Sequence, residues 1–270
     1  MEWHADPTVL LGLALICSLF WWQRAAAEPR HWRALTGAVL LTLLALESPL
    51  DYVADRDLFS AHMLQHLILL LGVAPLLALS VPTLAAQKLA RAVPGGVTSR
   101  LLHPLMILLV YALTVLAWHA PALYNAALFS ESVHALEHLM FVAAALPLWW
   151  LVLDPAGTGS LGSLLRVAYL ILSGVPTVVL GIAFAFSSTP FYAYARATPL
   201  PGFNQALVAQ IGLTPLADQQ LGGLLMWVGG SFVYLGVLVS LLLRWLASAD
   251  VEDAEDEQGA ALLEQPTAKW

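Results

Sequence analysis

Apolar residues run in seven long stretches, at 7–22, 34–50, 61–80, 102–119, 134–153, 164–186 and 220–246, separated by short charged or Pro/Gly-rich breaks. A helix needs about 20 mostly apolar residues to cross the hydrocarbon of a bilayer. The pattern therefore predicts an all-α fold: a polytopic transmembrane bundle of seven spans, the first two near the lower length limit. Pro75, Pro147 and Pro176 fall inside spans, where neighbouring helices re-satisfy the freed backbone groups. After residue 246 the apolar signal stops, and V-E-D-A-E-D-E-Q-G-A-A follows from Val251. This divides the chain into a transmembrane domain, 1–246, and an acidic tail, 247–270, too poor in apolar residues to fold and expected to be disordered.

Composition agrees: 60% of residues are hydrophobic and 11% charged, against about 25% charged in a soluble domain. With a net charge of −7 and no long basic cluster, nucleic acid is not an expected partner. The single Cys17 lies in the first apolar run, which excludes an internal disulfide and a Cys-pair metal or redox motif. The opening M-E-W-H-A-D-P is acidic, unlike the positive start of a cleavable signal peptide, and predicts a retained first span. Arg24, Arg30, Arg33, Lys88, Arg91, Arg100, Arg166, Arg244 and Lys269 all fall on one side of the seven-span topology; only Arg56 and Arg196 fall on the other. Basic loops stay cytoplasmic, so the reading is N-terminus out, C-terminus and tail in.

That topology gathers the histidines. His62 and His66 open the third span in H-M-L-Q-H, His134 and His138 open the fifth in H-A-L-E-H, and His119 closes the fourth in W-H-A-P. All five lie at the outer end. An i, i+4 pair shares one helix face, and adjacent helix axes lie about 8–10 Å apart, so two facing pairs bracket a single ion. In the last span Asp218, Gly222, Met226 and Gly230 form one stripe, with glycines that allow close approach. Imidazole suits zinc, copper, iron and nickel, whereas thioether selects Cu(I). Several His with Met226, no Cys and access from outside read best as copper, as Cu(I). Met63 is a weaker sulfur candidate, one position off its pair's face. Glu137, also one position off, is expected to orient a histidine or face a partner.

Other features have plainer readings. His31 and His103 are expected at the inner interface, and Trp118, Tyr124, Trp149 and Trp150 as interface aromatics. The doublets Gly222–Gly223 and Gly229–Gly230 read as close helix contacts. Two rival functions remain open. One is a membrane-embedded His/Asp metalloenzyme, zinc hydrolase-like or diiron, although the chain lacks an H-H doublet and shows E-x-x-H only at Glu131–His134. The other is a b-type haem protein, disfavoured because axial ligands usually come one per helix.

The phrases H-M-L-Q-H, W-H-A-P-A-L-Y-N-A-A-L, H-A-L-E-H-L-M-F, F-A-F-S-S-T-P-F-Y-A-Y-A and D-Q-Q-L-G-G-L-L-M-W, in this order between Asp51 and Arg244, resemble the polytopic CtaG family of bacterial cytochrome c oxidase assembly factors. The single-span, cysteine-dependent chaperone of the same name is not similar. The resemblance implies a multi-pass protein of the bacterial inner membrane that is no enzyme. It implies that the protein handles copper at the periplasmic face for a haem–copper oxidase, with an oxidase subunit and a periplasmic copper donor as partners. It marks His62, His66, His134, His138 and Asp218 as signature polar positions. Whether the chain forms a homodimer is left open by the sequence.

Overall fold

A computed structural model describes residues 6–56, 58–92, 103–159, 161–192 and 212–263, with side chains described as far as Ala247. His4, Arg100, Arg196 and Lys269 lie outside the described residues. The described chain is helical throughout, without strands: α1 Pro7–Trp22, α2 Pro29–Leu46, α3 Pro49–Arg56, α4 Phe59–Ser80, α5 Thr83–Ala92, α6 Pro104–Trp118, α7 Pro121–Phe129, α8 Glu131–Leu153, α9 Ser163–Ala185, and α10, which starts at Pro215 and continues through Gly230–Leu263. Proline opens α1, α2, α6, α7 and α10, where its missing N–H costs nothing and its fixed φ suits a helix. Asp6 and Thr214 add side-chain caps, accepting from Thr8 N and Ala217 N.

Each of the seven apolar stretches is helical over most of its length. Among the described residues four helices are long and apolar enough to cross a membrane: Phe59–Ser80, Glu131–Leu153, Ser163–Ala185 and Pro215–Ala247. A fifth crossing is available if α6 and α7, bent by 67° at their junction, count as one span. The protein is thus a helical membrane protein. The remaining two stretches are weaker: α1 is only 16 residues, and α2 carries Arg30, His31 and Arg33 among its first five residues. α10 runs on past the apolar stretch into the acidic segment, to Leu263.

α4 lies at the centre, packed against α2, α3, α8 and α10, while α9 packs on α10 and α6 on α8. α4 carries a π-helical turn, Leu69–Val73, just before Pro75. A proline clashes with the carbonyl four residues back, and the wider turn gives that clash room. One carbonyl of the turn, Leu70 O, accepts from Trp149 Nε1 at 2.7 Å. Trp149 is therefore a buried core residue, not an interface aromatic; Trp118 and Tyr124 are buried likewise. Their azimuth, not their depth, decides this. α10 has a second π turn, Leu225–Gly229.

The doublet Gly222–Gly223 divides its work between two neighbours. A Cβ on Gly223 would meet Ala185 N at 2.5 Å and Gly181 O at 2.7 Å; one on Gly222 would meet the Phe59 ring at 2.4 Å. α10 thus touches α9 backbone to backbone and α4 through an aromatic face. The second doublet differs from expectation. A Cβ on Gly229 would meet nothing within 4 Å, and one on Gly230 only ordinary contacts from 3.6 Å.

Candidate metal centre

α4, α8 and α10 begin at the same end of the bundle where α6 and α9 finish, and that end holds the polar residues. The i, i+4 spacing stacks His62 on His66 with ring centroids 4.3 Å apart, and His134 on His138 at 4.1 Å. The two pairs face one another across the α4–α8 contact: His62 lies 4.9 Å from His134, and His66 lies 5.5 Å from His138. One ring nitrogen from each of these four side chains falls within 4.8 Å of all the others. A tetrahedral ion with metal–nitrogen bonds of about 2.0–2.1 Å needs ligand atoms about 3.4 Å apart, so modest ring rotation completes the fit.

The cluster is dry. His62, His66, His134 and His138 are all buried, as is His119. Among the described residues, both ring nitrogens of His66, and Nε2 of His119 and of His138, have no hydrogen-bond partner. Buried polar atoms are almost always paired, and leaving one bare costs about 1–3 kcal/mol. A lone pair directed at an ion removes that cost, which is the chemical case for a metal. The burial also corrects the expectation of an open outer rim: in this structure the site is covered.

The cover comes from α7 and the segment after α9. Tyr124 on α7 stands 4.9 Å from the His62 ring and 4.0 Å from Tyr192. Tyr192 in turn donates its hydroxyl to His119 O at 2.7 Å. Phe59, Met63, Phe184 and Met226 complete this aromatic and thioether layer. Sequence reasoning missed Tyr192 and Phe59, and took Tyr124 for an interface residue; Pro121 after W-H-A was the available sign that the chain folds back into a short helix.

The other candidates divide. His119 lies beside the four, its ring 5.7 Å from His66. Its Nδ1 meets Val115 O at 2.7 Å; a carbonyl only accepts, so Nδ1 carries the proton and Nε2 keeps its lone pair. Met63 and Met226 are buried together next to the cluster. Asp218 is not among the four clustered ligand atoms. It accepts from Phe59 N at 2.6 Å, from Ser60 N at 3.1 Å and from Ser60 Oγ. These are the free N–H groups of the first turn of α4, so Asp218 acts as a helix cap from another helix and clamps the His62/His66 turn in place. Glu137, by contrast, does not face outward: it is 0% exposed, with a carboxyl oxygen 3.6 Å from His62 Nε2 and another 3.6 Å from His66 Nε2. Gln65, unremarked in the sequence, is buried and donates to Ala45 O at 2.8 Å and Asp51 Oδ1 at 2.7 Å, tying α4 to α2 and α3 beside the cluster.

Fold and site together define a helical membrane protein with a buried four-histidine cluster at one end of its bundle. The model of the cytochrome c oxidase caa3 assembly factor family, Caa3_CtaG, matches residues 15–248, and the chain belongs to this family. The match reaches beyond the motif-bearing region on both sides and takes in the second half of α1. No curated protein and no solved structure matches the chain.

Proposed function

We propose that this oxidase assembly factor binds copper at His62, His66, His134 and His138 and delivers it to a subunit of cytochrome c oxidase. The carrying observation is the convergence of four buried histidine nitrogens within 4.8 Å in a member of that family. Neutral imidazoles hold Cu(I) while adding no charge to the membrane interior, and the neighbouring thioethers of Met63 and Met226 and the Nε2 of His119 are soft or borderline donors on a path out of the site. On this reading the chain crosses the bacterial inner membrane seven times. Its N-terminus and cluster lie on the periplasmic side, where a copper donor loads it, and the acidic segment after residue 246 lies in the cytoplasm. Transfer requires the Tyr124–Tyr192 cover to part.

Metal analysis of protein purified in detergent tests the reading. About one copper per chain is expected in the wild type and none in a His62/His66/His134/His138 quadruple alanine variant. Copper-free wild type, or unchanged copper in the variant, overturns it.

One observation favours a second reading. A buried carboxylate 3.6 Å from two of the histidines is where a metalloenzyme keeps its general base. Zinc or iron in place of copper in the purified protein supports that alternative. The haem reading has no such support, since the imidazoles contact one another directly.

A further inference from the structure

Four histidines hold the ion on the reading above, and His119 stands beside them. It is nonetheless arranged as a ligand. A metal-binding histidine almost always donates one ring N–H to a carbonyl or carboxylate, which fixes the ring and bares the other nitrogen. In His119, Nδ1–H donates to Val115 O at 2.7 Å, and the buried Nε2 has no hydrogen-bond partner among the described residues. His66 is the opposite case. Both of its ring nitrogens are buried without a hydrogen-bond partner among the described residues, and the Glu137 oxygen 3.6 Å from its Nε2 is beyond hydrogen-bond reach. Packing holds this ring, with His62 at 4.3 Å and Phe141 at 4.6 Å. A fixed ligand thus stands beside an untethered one, their ring centres 5.7 Å apart. Two metal–nitrogen bonds of about 2.0 Å in line place opposed imidazole centres about 6 Å apart. The pair matches a two-coordinate ion.

We propose that His66 and His119 form a second, two-coordinate position, the exit position for Cu(I), with His66 common to both positions. The inference rests on the reading of the four histidines as copper ligands. Because His66 belongs to both, the two positions exclude one another and the chain still carries a single ion. Passage between them is a ligand exchange: the copper–nitrogen bonds to His62, His134 and His138 break, one to His119 Nε2 forms, and neither electron nor proton moves. Closed-shell Cu(I) accepts two soft or borderline donors in line, whereas Zn(II) is almost always four-coordinate in closed protein sites. The exit therefore admits Cu(I) and holds back Zn(II). It also lies under the cover. His119 caps the end of α6, and its carbonyl accepts from the Tyr192 hydroxyl at 2.7 Å, so parting the cover unties the residue that then carries the ion.

The test loads wild type, His119→Asn and His119→Met with Cu(I) or Zn(II) in detergent and follows release to an excess of a chromophoric chelator for that ion. Asn keeps an N–H for Val115 O but has no nitrogen lone pair; Met restores a soft donor. Loss of a resident ligand, or a loosened cover, speeds release, whereas loss of an exit ligand slows it, so the sign separates the roles. His119→Asn is expected to slow Cu(I) release at least about tenfold, with a smaller effect on Zn(II), and His119→Met to recover most of the rate. Unchanged or faster Cu(I) release in His119→Asn, or Zn(II) slowed as much as Cu(I), overturns the proposal. Should the Asn variant fail to fold, a His62/His134/His138 triple alanine variant, which keeps His66 and His119, decides the matter. X-ray absorption showing Cu(I) with two nitrogen neighbours supports the exit position, and no bound Cu(I) overturns it. Wild type that takes up no copper sinks the four-histidine reading itself, a different and recognisable failure.

Discussion

Two polar clusters, one at each end of the bundle, treat their groups in opposite ways. At one end Asp154, which closes α8 in a left-handed conformation, accepts from Thr158 N at 3.0 Å, Thr158 Oγ1 at 3.1 Å, Gly159 N at 2.9 Å and Arg166 at 2.6 Å. Nearby, Tyr169 donates to Pro104 O and Gln87 to Ala156 O. At the other end three helices present five histidines to one another, and ring nitrogens of His66, His119 and His138 have no hydrogen-bond partner among the described residues. The first end shows that this sequence places satisfying partners where a structural carboxylate needs them. The bare nitrogens at the second are therefore a property of that site, retained at a cost to stability. Polar groups that hold a fold together are spent on each other; polar groups kept for a ligand are not.

Removing the bare groups should break the contrast most severely. His66→Ala is expected to lower copper affinity by at least about a hundredfold, above the roughly 10–100-fold range for losing a group that merely orients a ligand. Because the deleted nitrogens make no hydrogen bond among the described residues, the thermal midpoint of the metal-free form should not fall by more than a few degrees. A variant that loses stability but keeps its copper would show His66 to be packing.

The joint between the ends comes next. Gly223 lets α10 meet α9 with backbone atoms where a Cβ would stand, 2.5 Å from Ala185 N. Neither partner is a flexible side chain that can swing away, so the helices must separate. Gly223→Val should cost about 3 kcal/mol or more, the upper end of overpacking effects, measured as unfolding in detergent. Gly229→Val, at a position with open space, is the matched control and should cost far less.

What could be read from the chain follows from which interactions are local. The apolar runs and the i, i+4 histidine pairs are short-range patterns, and both reappear as helices and as clustered rings. Glu137, expected to orient a histidine or face a partner, is buried against His62 and His66 and so does not face a partner; its one-residue offset does not take it off the face, because a buried helix stripe is about 100° wide and accepts i, i+3 and i+4 together, as His134, Glu137 and His138 show. Trp149 and Tyr124 lie near span ends, where depth alone does not separate a lipid-facing ring from a packed one. Asp218 was expected in the site because it shares a stripe with Met226. Its true partners, Phe59 and Ser60, are 159 and 158 residues away, and no local pattern names them. The fold-back of α7 that covers the site is likewise a tertiary event, with Pro121 as its only local sign.

Asp218 permits a sharper separation of scaffold from ligand. If it clamps α4, then Asp218→Ala strands the N–H groups of Phe59 and Ser60 and should cost about 2 kcal/mol, the upper range for a lost helix cap. Copper stoichiometry should stay at the wild-type value, with a modest loss of affinity as the His62/His66 turn loosens. Asp218→Asn keeps an accepting oxygen and should recover most of the stability. Loss of copper in Asp218→Asn with stability intact would make it a ligand.

The smallest effect is expected at the satisfied end, and it depends on pH. Burial alone would raise the Asp154 carboxyl, but the N–H groups of Gly159 and Thr158, the Thr158 hydroxyl and Arg166 outweigh it and hold the group below its ordinary 3.8. A carboxyl depressed by folding stabilises the native state above its unfolded value, and that contribution fades as pH falls from there through the folded value. Asp154→Asn should therefore lower stability at pH 7 by on the order of 1 kcal/mol, and the gap between mutant and wild type should close below about pH 4. Thermal midpoints of the two proteins from pH 7 to pH 3 measure this directly. A gap for Asp154→Asn that persists unchanged to pH 3 would mean that the amide is tolerated poorly for its shape, and that the charge of Asp154 contributes little.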